Sequence, residues 1–150
     1  SAEWETKRWP AERFAQVGNG CAQQGYRVVI IGDRTAAGTA KLVASRMHAV
    51  PVDLSGRTDF HRLAWLIRNA ALLISSDSGP VSVAAASGTP ALVLFGPTDP
   101  GRHLPPGTIP ISAQVPCAPC YRRRCARHDC MTAITAGEVL RRAREILTKR

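Results

Sequence analysis

At 150 residues, 45% of them hydrophobic, the chain has the size of one folded domain and too much apolar content for disorder. No apolar run approaches the roughly 18 residues of a membrane-spanning helix, and no basic segment leading into an apolar one marks a secretory signal. The formal charge of +9 is uneven: residues 1–100 carry 10 basic and 8 acidic side chains, residues 101–150 carry 10 and 3. A basic C-terminal third of this kind suits polyanions such as nucleic acid, lipid headgroups or phosphorylated sugars, or serves as a solubilising surface.

The start at Ser1 without methionine suggests an excised segment. Pro10 suits the first turn of a helix in which Phe14, Val17 and Cys21 share one face before Gly25 ends it. Tyr26 to Ile31 reads as a buried strand ending at Gly32. Ala40, Val43, Ala44 and Met47 have helical spacing, and Val50 to Leu54 reads as a second short strand. Thr58 is the expected cap of a helix that buries Phe60, Leu63, Ala64 and Ile67. Leu72 to Ser75 is the next strand, Pro80 to Ala86 a small-residue helix, and Ala91 to Phe95 another strand.

Residues 96–131 hold seven prolines and four cysteines, which predicts a long loop or a small knuckle, its cysteine-rich part at about 113–131. Thr135 with Glu138 forms a capping-box pattern for a last helix burying Val139, Leu140, Ala143 and Leu147. Apolar strands alternating with helices predict one α/β domain over 1–150. Its fold is a Rossmann-like parallel sheet with helices on both faces and ligands at the carboxyl ends of the strands.

The densest motif is Ser76-Asp77-Ser78-Gly79-Pro80-Val81-Ser82-Val83-Ala84-Ala85-Ala86, followed by Gly88-Thr89-Pro90 and Phe95-Gly96-Pro97-Thr98-Asp99-Pro100. A strand ending at Ser76 turns into a helix whose first amides lack intrahelical partners and carry the positive end of the helix dipole. An anion suits that end; Gly79 permits its close approach and Ser78 adds a hydroxyl. Alternatively, Asp77 and Ser78 only cap the helix.

This run resembles the signature of glycosyltransferase family 9, the heptosyltransferases of lipopolysaccharide synthesis. That signature reads roughly Asp-Thr-Gly-Pro-x-His-x-Ala-Ala, then Pro, an apolar strand and Phe-Gly-x-Thr-x-Pro. Ser78 stands where the family has Thr, and Ser82 where it has His. Lys7-Arg8-Trp9-Pro10 is similar to the family's Lys-x-Trp-Pro element, whose lysine approaches the donor diphosphate. A fixed ammonium there stabilises charge that grows as a nucleoside diphosphate departs. Family members carry a strand and glycine turn before this element, which implies a sheet one strand short here.

The resemblance covers Lys7 to Leu147 and implies one half of a two-domain glycosyltransferase of the GT-B architecture, with the acceptor half absent. It implies a heptose-type sugar passed from an ADP-sugar to the lipopolysaccharide inner core with inversion. Lys7 would stabilise the leaving diphosphate, and Asp77, Ser78, Gly79, Pro80 and Ser82 would bind the nucleotide sugar. Asp33 matches an acidic residue at the ribose and Thr58 lies at the adenine rim. It further implies no catalytic metal, a cytoplasmic location peripheral to the inner membrane, and contact with anionic lipid.

Cys117, Cys120, Cys125 and Cys130 place four thiols within fourteen residues of an arginine-rich loop. Four thiolates suit tetrahedral zinc or iron, and a metal would order a loop with few apolar residues. Reduced thiols or two disulfides are the alternatives. A metal-knuckle nucleic-acid module is a rival reading, prompted by Arg122, Arg123, Arg124 and Arg127. It lacks aromatics for base stacking beyond Tyr121, so no nucleic acid is expected. A non-catalytic nucleotide-binding or scaffold domain is the other rival, prompted by Ser82.

Overall fold

The computed structural model describes residues 4–148. A 3-10 turn at Glu5–Lys7 leads into helix α1 (Ala11–Ala22), with Pro10 just ahead of it. Strand β1 (Val29–Ile30), helix α2 (Ala37–Ser45), strand β2 (Val52–Asp53) and helix α3 (Phe60–Arg68) follow. Strand β3 (Leu73–Ser76), helix α4 (Gly79–Ser87) and strand β4 (Ala91–Phe95) then alternate as the sequence pattern predicts. A short helix α5 (Pro100–His103), strand β5 (Ile109–Ser112), a turn of helix α6 (Asp129–Thr132) and the long α7 (Ala136–Leu147) complete the chain.

Among the described residues all strand pairs are parallel, in two sheets: β1 with β2, and β3-β4-β5 with β4 central. Alternation along β4 sends its side chains into two cores. Leu92 and Leu94 meet Trp9, Val17, Met131, Ile134 and Val139 on the α1–α7 side. Ala91, Val93 and Phe95 meet Ile67, Leu73, Val81 and Ala84 on the α3–α4 side. Every β4 residue is 0–1% exposed. Burying each of its large side chains stabilises the fold by about 1.5–3 kcal/mol.

Helix α7 bears on α1 at Gly20, where a Cβ would fall 2.4 Å from Leu140 Cδ2. A larger side chain there would push the two helices apart. Trp9 anchors the entry to α1 through an edge contact with Phe14, ring centroids 4.8 Å apart, and its Nε1 donates to the Ile134 carbonyl at 3.0 Å.

Several expectations are corrected. β1 and β2 are each two residues long, much shorter than Tyr26–Ile31 and Val50–Leu54. The cap of α3 is Asp59, whose carboxylate accepts from the Arg62 amide at 2.8 Å; Thr58 precedes it. Phe60 is 67% exposed, because α3 buries the stripe through Leu63 and Ile67. The proline-rich stretch is not all loop: β5 pairs with β4 despite Pro110, which sits on an edge strand where a missing amide is tolerated. Of the capping box on α7, the Thr135 hydroxyl accepts from the Glu138 amide at 3.2 Å.

Candidate functional site

The carboxyl end of β3 brings together residues far apart in sequence. Asp77 follows the strand, its amide held by the Leu94 carbonyl at 3.2 Å. Its carboxylate accepts from Lys7 Nζ at 2.6 Å and from the Thr98 hydroxyl at 2.9 Å, both on Oδ2. The Lys7 and Asp77 side chains are 16% and 18% exposed, so the ammonium is fixed at the surface rather than swinging in water. Asp77 therefore orients Lys7 instead of facing an anion itself, since a carboxylate repels a phosphate. Lys7 Nζ also lies 4.6 Å from the Trp4 ring centroid, with the Arg123 guanidinium 5.1 Å from the same ring. Two cations on one ring hold positive charge beside the end of β3.

Helix α4 starts beside this ion pair. Its cap, Ser78, makes no side-chain capping bond; the hydroxyl donates to the Ser76 carbonyl at 3.0 Å. Pro80 has no amide hydrogen and the Val81 amide donates to the Ser78 carbonyl at 3.0 Å. The amides left at this end are those of Ser78 and Gly79, fewer than the four that a helix start ordinarily leaves open. A Cβ on Gly79 would meet nothing within 4 Å, and its backbone is not left-handed. Neither packing nor conformation within the chain requires glycine there. Ser82 lies one turn further on, exposed.

The Lys7 element is held from below by the arginine- and cysteine-rich loop. Thr6 is 1% exposed; its hydroxyl donates to the Arg122 carbonyl at 2.6 Å and its amide to the Arg123 carbonyl at 3.4 Å. The Cys120 and Tyr121 amides donate to the Pro97 carbonyl at 3.0 and 2.9 Å. One loop thus grips both the Glu5–Lys7 turn and the Pro97-Thr98 segment. Thr98 and Thr6 belong to the site's machinery without having been candidates: a buried hydroxyl has no sequence signature until its acceptor is known.

The other two candidates sit at the ends of β1 and β2, apart from Lys7. Gly56 donates to the Gly32 carbonyl at 2.8 Å, which brings those two turns side by side. The Asp33 carboxylate accepts from the Thr35 hydroxyl at 2.6 Å and the Ala36 amide at 3.0 Å. The Thr35 hydroxyl bond is the main cause holding its carboxyl below the usual range. Thr58 is half-buried in the turn that leads into α3.

The four clustered cysteines are free thiols and, among the described residues, no group of three or more His, Cys, Asp or Glu side chains is arranged to hold a metal ion. As the described residues are placed, the expected four-thiolate site is not formed, although Cys117 and Cys120 lie near enough to Cys130 to act on its thiol. Cys130 is buried, its Sγ 3.2 Å from where a Cβ on Gly96 would lie. Burial, then the charges of Cys117 and Cys120, push its thiol up. Cys125 is pulled down chiefly by the backbone amides of His128 and Arg127; the Arg122 charge adds less. Clustered arginines are therefore not the main control on these thiols. Among the described residues no helix is long and apolar enough to cross a membrane.

Comparison with known proteins agrees with this architecture. The chain is 30% identical over 104 residues to lipooligosaccharide heptosyltransferase 2 of Haemophilus influenzae, covering 67% of this chain and 30% of that protein. It is 38% identical over 96 residues to lipopolysaccharide heptosyltransferase 3 of Escherichia coli, covering 62% and 28%. It thus spans about a third of the length of these curated relatives. The structure superposes on a family 9 glycosyl transferase from Veillonella parvula with a TM-score of 0.86 and 26% identity, over 100% of this chain and 44% of that one. It also shares the fold of the dodecameric iron-containing heptosyltransferase TibC, solved in complex with ADP-D-beta-D-heptose, with a TM-score of 0.79 and 18% identity, over 99% and 44%. The domain is therefore Rossmann-like, of the GT-B type. The model of glycosyltransferase family 9 (heptosyltransferase) matches residues 1–131, and the chain belongs to that family.

Proposed function

We propose that this chain is the donor-binding half of a glycosyltransferase that moves a heptose-type sugar from an ADP-sugar to the inner core of lipopolysaccharide, with inversion. The observation that carries this reading is the Lys7–Asp77 pair at 2.6 Å, set beside a helix start whose glycine has no structural reason within the chain. The diphosphate sits on the Ser78 and Gly79 amides, within reach of the Lys7 ammonium. Asp77 and Thr98 hold the ammonium in place, so little reorganisation accompanies the reaction. The adenosine extends toward the paired Gly32 and Gly56 turns, with Asp33 at the ribose and Thr58 at the base.

In the transfer, an acceptor hydroxyl oxygen attacks the anomeric carbon from the face opposite the diphosphate. The bond from that carbon to the diphosphate oxygen breaks, its electron pair leaves with ADP, and the hydroxyl proton passes to a base. Lys7 offsets the charge that grows on the departing ADP. The base and acceptor site belong to the other half of a GT-B enzyme, so this chain alone binds donor without turning it over. No catalytic metal has a part in this scheme. The basic loop with Arg122, Arg123, Arg124 and Arg127 suits contact with an anionic membrane face, and this supports a parent enzyme in the cytoplasm, peripheral to the inner membrane.

Calorimetric titration of ADP tests the site. Gly79→Val, with its circular dichroism unchanged, is expected to weaken binding at least tenfold by filling the approach to the amides. Unchanged affinity in the folded variant removes the diphosphate from α4. Ser82 favours one other reading, a reshaped pocket in a non-catalytic nucleotide-binding domain. Ser82→His should tighten ADP binding if the pocket still matches the family pattern; weaker binding supports the reshaped pocket.

A further inference from the structure

The proposed diphosphate site is short of positive charge. Each phosphate of a nucleoside diphosphate carries negative charge. Lys7 Nζ lies 2.6 Å from the Asp77 carboxylate, so that ion pair is neutral as a whole and its field falls off steeply with distance. The start of α4 adds only roughly half an elementary charge. A site built from these groups alone would meet the ligand with less positive charge than the ligand brings negative.

A further cation stands one ring away. Lys7 Nζ is 4.6 Å from the Trp4 ring centroid, and the Arg123 guanidinium carbon is 5.1 Å from the same point. The two cations are therefore separated by no more than these lengths laid end to end. A diphosphate hydrogen-bonded at both ends can bridge that span. The indole face attracts both cations and so holds the guanidinium near the ammonium. Like charges brought to one ring also repel each other, and an anion between them offsets that repulsion.

Arg123 differs from the other arginines of its loop in what it touches. Arg127 is paired with Asp129 at 2.6 Å. Among the described residues Arg122, Arg123 and Arg124 pair with no carboxylate, and of these three only Arg123 stacks on Trp4. Its backbone is fixed as well. The Thr6 amide donates to the Arg123 carbonyl at 3.4 Å and the Thr6 hydroxyl to the Arg122 carbonyl at 2.6 Å. Thr6 immediately precedes Lys7, so the main chains that carry the two cations are stitched together. Just ahead, Tyr121 takes a left-handed backbone with φ 56°, and its amide donates to the Pro97 carbonyl at 2.9 Å. A non-glycine residue holds that conformation only where its surroundings over-determine it. The chain carrying Arg123 is thus anchored on both sides, while Arg123 itself stays exposed.

We propose that Arg123 is a second cation of the donor site and grips the diphosphate together with Lys7, the two set by the shared Trp4 ring. The inference rests on the reading that puts the diphosphate at the start of α4. A guanidinium presents parallel donors to phosphate oxygens, whereas the Lys7 ammonium acts as a point charge. Trp4 is a positioning residue, acting through the two cations it holds.

NMR titration of the 150-residue chain with ADP, followed on backbone amides, tests this, because it reads both the affinity and the place of binding. Arg123→Ala, with its amide spectrum otherwise unchanged, is expected to weaken ADP about fivefold or more, the shifts still falling on Ser78 and Gly79. Arg123→Lys keeps the charge but loses the parallel donors, and should stay within about threefold of the parent. Arg68→Ala removes the same charge from the exposed C-terminal end of α3 and should leave affinity within about twofold. Unchanged affinity in Arg123→Ala, with Ser78 and Gly79 shifting as in the parent, overturns the role of Arg123 and leaves the α4 site standing. Equal losses in Arg68→Ala and Arg123→Ala overturn it too, since bulk charge then explains both. An Arg123→Lys chain no better than Arg123→Ala also overturns it, because packing on Trp4 and not charge is then at stake. A parent chain whose Ser78 and Gly79 do not respond to ADP removes the α4 reading itself, and this inference with it.

Discussion

The β3-β4-β5 sheet and the β1-β2 pair are both built from apolar sequence, yet only the first contains a strand, β4, that is covered on every side. β4 has partners on both edges and helices on both faces, and all five of its residues are buried. In the pair, Val29 is exposed and Ile30, Val52 and Asp53 are only half-buried. The difference lies in edges rather than composition: a parallel strand becomes interior only when both edges and both faces are covered. It also divides the site. The proposed phosphate end would rest on the three-stranded sheet, beside Lys7, Asp77 and Thr98, and the proposed adenosine end on the β1-β2 pair.

The largest expected contrast is in stability. Phe95→Ala should lower the unfolding free energy by about 3–5 kcal/mol, the cost of a large core cavity. Val29→Ala should cost less than about 1 kcal/mol, since the side chain is already 41% exposed. Urea denaturation of both checks this, and equal losses would erase the distinction between the two sheets.

A second substitution probes how tightly the closed sheet is bound to the loop below it. A Cβ on Gly96 would fall 2.5 Å from Met131 Sδ and 2.7 Å from its Cγ, and Met131 is 0% exposed. Gly96→Ala should therefore destabilise by about 1–3 kcal/mol through overpacking. Gly79→Ala, where no atom lies within 4 Å, should lie within about 1 kcal/mol of the parent by the same assay.

Much of this contrast can be read from residues, and some cannot. Ala91 to Phe95 is an uninterrupted apolar run and is recognisable as a buried strand. Ile109 to Ser112 is not, because Pro110 and its proline-rich surroundings argue against pairing, and only the edge position of β5 makes that proline tolerable. Asp59 outcompetes Thr58 as the α3 cap because its carboxylate reaches the Arg62 amide, a choice that adjacent capping residues leave open. In the candidate site, the helix start after Ser76 is visible from Gly79 and Pro80. The pairing of Lys7 with Asp77 is not, since 70 residues separate them and only the topology brings them together. The thiol cluster shows the converse: four nearby cysteines suggest a shared ion, yet among the described residues no group of three or more His, Cys, Asp or Glu side chains is arranged to hold one.

Two smaller effects sharpen the account of the phosphate end and its supporting loop. Thr98→Val removes one of the two donors to the Asp77 carboxylate, and ADP affinity should fall about two- to fivefold, the worth of one ordinary hydrogen bond. Isothermal calorimetry would show it, and no change would mean that Lys7 alone fixes Asp77. For the loop, Cys125 has its thiol lowered and Cys130 raised, so near pH 7 more of Cys125 is thiolate. Peptide mass spectrometry after brief iodoacetamide treatment should find Cys125 labelled well before Cys130. The gap in thiolate fraction closes as pH rises above both values, and the gap in labelling closes on unfolding in urea.

The central claim is that the diphosphate of an ADP-sugar is held where α4 begins, beside Lys7. Titrating the 150-residue chain with ADP while following backbone amide resonances by NMR addresses it directly. The account predicts that the largest shifts fall on Ser78 and Gly79 and that Lys7→Ala weakens the titration about tenfold. Shifts confined to the Arg122–Arg127 loop, with Ser78 and Gly79 unmoved at saturation, would contradict it.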